Sequence, residues 1–442
     1  MENSNRFLEY FQGKCIFITG CTGCVGLALL EKLLRSFPQV HKIVLLIRKK
    51  RSENVSTRIL NYFDNPVFSV MKETHKDYLE KIMWMEGDIV KPNLGLSEEN
   101  LNYIYNKVNV FYHCAASVKF VENLKNSITS NIYGTEMVYK VAKDCKKLEC
   151  FMHVSTVFCN HGYSQSVLKE EIPENPANPD RLLEMAKSMS VNELEKNCKE
   201  SKNFINNYVF TKNATENLLG NKKDNIKIGI LRVGCVMESY KEPYPCWHLI
   251  HANSFNVILK NVVTGIVFNI NEKAVVYCTP IDLCVNALIA TTYDAAHITE
   301  NLKVYNVAIN CPTVKEILKM FIKENVKDPW LIFGSLKYRF LCHMKDLVLE
   351  MSGKRGIYVK EMEKLEHFIE ISQKFVLKEL YCHTENLDEL WKSLNQSERK
   401  LLFFNLNEVD YEECVKSWYK SSMENEYNPM DPTTTMLHLA KL

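Results

Sequence analysis

Tyr208 and Lys212 stand four positions apart in "YVFTK". On a helix that spacing puts a phenol and an ammonium on one face, one turn from each other. A positive charge beside a phenol lowers its pKa from about 10, which suits it to exchange a proton near neutral pH. A well-placed acid of this kind contributes about 10²- to 10⁴-fold to a reaction. The pattern is cheap in a chain of 442 residues with 21 tyrosines and 55 lysines plus arginines, so position must choose among its occurrences. Tyr103/Lys107 precedes the fourth strand-like run, which puts its helix at the end of a parallel sheet away from ligands. Tyr208/Lys212 follows the fifth run and opens the helical stretch "NYVFTKNATENLL", on the side where ligands bind beyond the carboxyl ends of strands. Position selects Tyr208 and Lys212. The fifth run ends in "HVSTVFCN", where the hydroxyl of Ser155 or Thr156 is available to a substrate oxygen, Thr156 being preferred. Cys159 in that string reads as a buried structural thiol, since no histidine or charge stands beside it to make it a nucleophile.

A second group of residues suits phosphate. In "CIFITGCTGCVGLALLEKLL", residues 15–34, an apolar run is broken by Gly20, Gly23 and Gly26 and resumes at helical spacing. A glycine-rich turn between a first strand and a first helix aims backbone amides and a helix N-terminus at an anion. Thr19, Gly20, Thr22, Gly23, Cys24, Val25 and Gly26 are therefore expected to hold a dinucleotide pyrophosphate. Arg48, 22 residues past Gly26, stands where an acidic residue would hold a free ribose hydroxyl and an arginine accommodates a 2′-phosphate. With Lys49, Lys50 and Arg51 beside it, Arg48 points to NADPH rather than NADH. Asp88 and Ile89 in "GDI" follow the third strand-like run and are expected near the adenine; Ala115 and Ala116 in "HCAAS" follow the fourth and leave room for the cofactor's middle.

The elements that must position these groups read as an α/β chain. Strand-like runs at Cys15–Thr19, Lys42–Ile47, Ile82–Glu86, Val108–His113, Glu149–Val154 and Ile226–Arg232 alternate with helical patterns at Val25–Ser36, Ser127–Lys146 and Val209–Leu219. Such alternation predicts a doubly wound, Rossmann-type parallel sheet with helices on both faces. The reductase domain is expected over 1–327, a smaller helical domain over 328–427 and a loose tail over 428–442. Trp391, Phe403, Phe404, Tyr411 and Trp418 are available for a small core in the helical part. Net charge is +2 and no basic stripe carries interleaved aromatics, which argues against nucleic acid. Sixteen cysteines without a disulfide framework or zinc spacing, behind a polar N-terminus without a signal peptide, suit a reducing compartment and a metal-free site. No run of about twenty apolar residues spans a bilayer. Phe255–Ile270, interrupted by Lys260, Asn261 and Gly265, leaves peripheral membrane contact open.

"GKCIFITGCTGCVGLALLEKLLRSFP", "LLIRKK", "GDI", "HCAASVKF", "NIYGTEMV", "HVSTVFCN", "YVFTKNATE" and "CTPIDLCVNALI" occur in the order seen in alcohol-forming fatty acyl-CoA reductases. The chain resembles that branch of the extended short-chain dehydrogenase/reductases over residues 8–310, and its helical part looks like the family's C-terminal domain. The resemblance implies reduction of a long-chain acyl-CoA by two NADPH to a fatty alcohol and CoA, through a hemithioacetal and an aldehyde. In it Tyr208 protonates the carbonyl oxygen, Lys212 holds the nicotinamide ribose, and Thr156 or Ser155 binds the same oxygen. An apolar substrate channel is expected near Pro243–Ile270, within a substrate region over about 233–275. The chain departs from the family's usual residues at Cys24, Val233, Cys246 and Tyr411. Ala440-Lys441-Leu442 is similar to a Ser-Lys-Leu peroxisomal address, so peroxisomal import is expected, the alternative being the cytosol or the cytoplasmic face of the endoplasmic reticulum. Two other readings compete: a nucleotide-sugar epimerase or dehydratase on the same fold, which would favour an acidic residue at Arg48, and a non-catalytic dinucleotide sensor or lipid binder, which would have no need of Tyr208 and Lys212.

Overall fold

A strand covered on both faces has no polar side to show, and β1 (Cys15–Thr19) is buried at every residue. It lies in the middle of a seven-stranded sheet in a computed structural model that describes residues 4–49, 61–120, 122–160, 167–172, 178–247 and 275–308, most of 311–320 and 334–363, residues 273 and 374, and 381–424. The other strands are β2 (Lys42–Ile47), β3 (Ile82–Glu86), β4 (Val110–His113), β5 (Cys150–Thr156), β7 (Ile228–Val233) and β10 (Leu302–Val307), in the order β10-β7-β5-β4-β1-β2-β3. Every pairing in this sheet is parallel. Two short parallel pairs stand outside it: β6 (Val167–Leu168) with β11 (Tyr381–Cys382), and β8 (Cys235–Met237) with β9 (Cys278–Pro280). The chain winds outward from β1 through β2 to β3, then crosses to β4 on the opposite side of β1. That reversal opens a crevice at the carboxyl ends of β1 and β4, the usual ligand position in such sheets.

The doubly wound parallel sheet expected from the sequence is what forms, with three adjustments. β10 was absent from the expected strands. Its "LKVYNV" mixes Lys303 and Asn306 with apolar residues, and Leu302 and Lys303 are only half-buried. β5 runs on to Thr156, so Ser155 and Thr156 are the last residues of a strand rather than the turn after it. The helical stretch at Ser127–Lys146 is not one regular helix: a short helix at Leu124–Ser127 passes through a π-helical turn, Ile128–Tyr133, into Gly134–Lys143.

The helices that bear on the sheet and the site are α1 (Arg6–Phe11), α2 (Cys24–Ser36), α3 (Glu98–Lys107), α4 (Gly134–Lys143), α5 (Asn207–Gly220), α6 (Ile281–His297), α7 (Gly334–Met351), α8 (Glu385–Ser393), α9 (Gln396–Leu401) and α10 (Tyr411–Glu424). Apolar side chains of α1, α2 and α6 share one core with β1, β2 and β5, while α3 and α4 close the opposite face. Leu387, Leu390, Leu394, Leu402 and Phe404 from the C-terminal part belong to the first of these cores, where Trp391 meets Phe404 edge-on with ring centroids 5.1 Å apart. Trp391, Phe403 and Phe404 therefore pack on the reductase body rather than forming a small core of their own. Arg6 on α1 donates to both carboxylate oxygens of Glu398 at 2.9 and 3.1 Å, and Lys32 on α2 donates to the Leu401 carbonyl at 2.8 Å. Asn386 donates through its side chain to the Val304 carbonyl at 2.8 Å, covering the free edge of β10. Lys50, Arg51, the Trp418 side chain, most of the channel region 248–272 and the tail with Ala440-Lys441-Leu442 lie outside the described residues. Among the described residues no helix is long and apolar enough to cross a membrane, and no group of three or more His, Cys, Asp or Glu side chains is placed to hold a metal ion.

Candidate active site

The turn between β1 and α2 is shaped first by the chain's own backbone. Gly20 has φ +71°, and a Cβ there would sit 2.6 Å from the Ala115 amide nitrogen. A Cβ on Gly26 would sit 2.4 Å from the Gly20 carbonyl oxygen. Gly23 differs: it is exposed, it caps α2 without a side-chain hydrogen bond, and a Cβ there would meet only the Gly20 oxygen, at 3.3 Å. The first amides of α2, from Cys24, Val25 and Gly26, lack intrahelical acceptors by helix geometry, and the bare Gly23 together with exposed Thr22 leaves them open to an anion. Thr19 is fully buried beneath this turn, and its hydroxyl oxygen accepts from the Ala115 amide at 3.3 Å. Ala115 and Ala116 thus line the crevice between β1 and β4. Arg48 is exposed just past β2, beside Lys49, whose ammonium lies 3.9 Å from Glu86. Asp88 receives the Val90 amide on one carboxylate oxygen at 3.2 Å, and Ile89 packs so closely on Gly134 of α4 that a Cβ there would meet its Cδ1 at 2.8 Å. An open helix N-terminus, a small-residue crevice and a cation past the second strand fit a nicotinamide dinucleotide.

The pair expected to be catalytic, Tyr208 and Lys212, sits beside that crevice. Asn206 caps α5 by accepting the Val209 amide at 2.9 Å, which starts the helix so that Tyr208 lies in its first turn and Lys212 in its second. The Tyr208 side chain is partly exposed while its hydroxyl end is enclosed by protein. Burial pushes the phenol pKa above its ordinary value, the neighbouring Cys159 and Cys235 thiols add to this, and a hydrogen bond from Thr156 opposes it. The expected depression of the phenol by Lys212 is not found. The Lys212 ammonium, 3% exposed, instead donates to the Val154 carbonyl at 2.6 Å and to His153 Nε2 at 3.2 Å, both on β5. Its charge is engaged by the strand below it, and burial lowers its own pKa to about 8. Of the two hydroxyls, Thr156 reaches Tyr208. Ser155, one residue back, is buried with no hydrogen-bond partner for its Oγ among the described residues. The Cys159 thiol is fully buried and its pKa is raised well above the ordinary value, which leaves little thiolate for covalent chemistry.

Several residues that sequence reasoning passed over join these two halves. Thr135 gives its proton to the Asn131 carbonyl at 2.6 Å, so it receives the Nε2 proton of His113 at 2.9 Å. His113 Nδ1 then accepts from Thr19 at 2.7 Å, and burial holds this imidazole neutral with its pKa lowered to about 3. Asn131, in the π-helical turn, accepts the Ser117 amide at 2.8 Å and donates to the Thr211 hydroxyl at 2.9 Å. A buried polar chain thus runs from the phosphate turn to the residue beside Lys212. The signal was the asparagine in "NIYGTEMV", whose role depends on the extra residue that a π turn accommodates. One turn beyond Lys212, Glu216 binds Arg232 of β7 through three contacts of 2.6–3.1 Å, both side chains being fully buried, and Arg232 also donates to the carbonyls of Lys169 and Glu171 at 2.8 Å. This pair fixes α5 against the sheet.

An NAD-binding family model described as "Male sterility protein" matches residues 18–288, and a second, "Sterile", of the same description, matches 337–422. The chain belongs to this family. Family membership and the geometry above make it an oxidoreductase that uses a nicotinamide dinucleotide. Among curated relatives it is similar to fatty acyl-CoA reductase 1 of Rattus norvegicus, 27% identical over 439 residues, covering 93% of this chain and 84% of that one. It is similar also to fatty acyl-CoA reductase wat of Drosophila melanogaster, 29% identical over 429 residues, covering 91% and 82%. Among solved structures, the terminal R domain of the myxalamid PKS-NRPS pathway superposes with a TM-score of 0.64 at 17% identity, covering 95% of this chain and 93% of that domain. That likeness supports the doubly wound, Rossmann-type fold.

Proposed function

We propose that the protein is an NADPH-dependent, alcohol-forming fatty acyl-CoA reductase acting on long-chain acyl-CoA thioesters. One observation carries the reading: Tyr208, Lys212 and Thr156 gather at the carboxyl ends of the strands, beside the dinucleotide turn, in a chain aligned over 93% of its length with a fatty acyl-CoA reductase. NADPH, when bound, supplies hydride, one equivalent for each of two reductions. Burial keeps the Tyr208 hydroxyl protonated at neutral pH, so it is ready to give its proton to the acyl oxygen as that atom gains charge. Thr156, whose hydroxyl proton bonds Tyr208 before substrate arrives, turns that proton to the same acyl oxygen when substrate is bound. The Lys212 ammonium uses two of its three donors on β5, which leaves one that would hold the nicotinamide ribose. The first reduction gives a hemithioacetal, whose C–S bond breaks to release CoA as the thiol, and the same residues then serve the aldehyde. Arg48 supports NADPH over NADH, because a guanidinium past the second strand pairs with a 2′-phosphate.

Incubation of the purified protein with palmitoyl-CoA and NADPH, followed by lipid chromatography, tests this. Hexadecanol and free CoA are expected, with NADH a poorer donor. Aldehyde accumulating without alcohol overturns the two-step reaction, and no turnover of any C12–C24 thioester overturns the substrate. Peripheral membrane contact belongs to the same proposal: α7 exposes Phe340, Leu347, Val348 and Met351 near the exposed cations Arg355 and Lys360, which suits an anionic lipid surface. Sedimentation with anionic vesicles checks it, and protein that stays in the supernatant removes it.

A further inference from the structure

We infer that His153 is a positioning residue that holds the Lys212 ammonium in place for the dinucleotide, a role that rests on the proposed use of Lys212. His153 is fully buried on β5, two residues before Ser155, and its Nε2 lies 3.2 Å from Lys212 Nζ. An ammonium has only protons to give, so Nε2 is the lone-pair nitrogen and the ring proton sits on Nδ1. His113, with its ring centroid 5.3 Å away, carries its proton on the opposite nitrogen because Thr135 and Thr19 fix both of its edges. The two histidines are neighbours with opposite tautomers and different duties. His113 has a partner on each nitrogen. His153 has one, Lys212, and its Nδ1 has no hydrogen-bond partner among the described residues.

That asymmetry is informative. A histidine serving only the core would satisfy both nitrogens or give way to an apolar residue, since a buried donor without a partner is costly. Here the imidazole is aimed at the lysine. It is also a neutral acceptor, so it orients the ammonium without cancelling its charge as a carboxylate would. The nearest carboxylate, Glu216, is bound to Arg232. The titratable groups facing Lys212 are His153 and His113 from the sheet, Cys114 past β4, Cys159 past β5 and Glu216 on its own helix. None of the others is shown donating to or accepting from its ammonium.

Two substitutions separate orientation of the lysine from filling of the core. His153→Gln keeps an acceptor at about the reach of Nε2, and His153→Leu removes it. NADPH affinity, measured by cofactor fluorescence without any acyl substrate, is expected to weaken about tenfold in His153→Leu and to recover to within about threefold in His153→Gln. kcat/KM is expected to fall more than affinity in the leucine variant, and the basic limb of its pH profile to move. If His153→Leu keeps wild-type affinity and pH profile, the inference is overturned. If His153→Gln is as impaired as the leucine variant, or does not fold, His153 serves the core and the inference is again overturned. A leucine variant that does not fold beside a wild-type-like glutamine variant shows that the core needs a polar side chain there, and the inference is then overturned as well. Wild-type protein that binds NADPH but leaves palmitoyl-CoA untouched rejects the proposed substrate, while the binding comparison still tests His153.

Discussion

Both ends of the sheet hold a tyrosine four residues ahead of a lysine, and only one end can use it. At the amino end, Tyr103 of α3 bonds the Cys15 thiol at the start of β1, and burial with that thiol raises its pKa to about 12. Tyr139 and Lys143 of α4, with the same spacing, both bind Asp224, at 3.3 and 2.8 Å. Tyr10 and Lys14 repeat it again, with Lys14 paired to Glu149 and lying 4.9 Å over the Tyr10 ring. Sequence reading weighed Tyr103/Lys107 alone against Tyr208/Lys212; the other two pairs follow the same rule. At the amino end the phenols of Tyr103 and Tyr139 and the ammonium groups of Lys14 and Lys143 are taken up by Cys15, Asp224 and Glu149. At the carboxyl end Tyr208 meets a hydroxyl from another element, and Lys212 lies over the strand that borders the cofactor crevice. Spacing makes a pair, and the direction of the strands gives it work.

The comparison breaks most directly at Tyr208. Tyr208→Phe should lower kcat by about 10²- to 10⁴-fold while NADPH binding measured by fluorescence stays near wild type; normal turnover would mean that the proton comes from elsewhere. Glu216→Ala should come next, through stability: a buried arginine left without its partner costs about 3–5 kcal/mol, read as a fall in denaturant midpoint, and an unchanged midpoint would show that the pair does not anchor α5. Thr156→Ala should reduce kcat by about tenfold or more and Ser155→Ala by less; the reverse order would exchange their roles.

The pH profile sharpens the contrast further. With its pKa lowered to about 8, Lys212 loses its proton as pH rises through that value, so kcat/KM for NADPH should decline above about pH 8. Stability should move the other way. The unfolded lysine titrates near 10.4, so between these values the unfolded chain holds more protons and this group's contribution to stability rises with pH, as denaturation at about pH 8 and 10 would reveal. Activity that stays flat across that range would remove Lys212 from the free-enzyme titration. The smallest effect is expected at the amino end, where Tyr103→Phe should leave kcat/KM within about twofold, the change a surface-side hydroxyl allows.

Much of this was legible in the sequence because the signals were local. Apolar runs, their alternation with helices and three glycines at a strand–helix joint named the sheet and the tight turn after its first strand. What escaped depended on partners far along the chain. Gly20 is required by the Ala115 backbone and Gly26 by the Gly20 carbonyl, so two of the three glycines serve the turn's own packing and only Gly23 opens toward a ligand. The lysine's effect on Tyr208 was argued from a helix in isolation, which omits the Val154 carbonyl and His153 that claim its ammonium. β10 and the placing of α8 are features of a sheet edge, and an edge exists only once the other strands have assembled.

The bond between Arg6 and Glu398 spans nearly the whole polypeptide, and Lys32 and Val304 likewise take their partners from residues 386–401. During synthesis the first helix and the outer strand emerge long before the segment that covers them. A nascent chain stopped short of that segment would leave Arg6 without Glu398 and the edge of β10 bare, and an exposed strand edge is a template for mispairing until the last residues arrive.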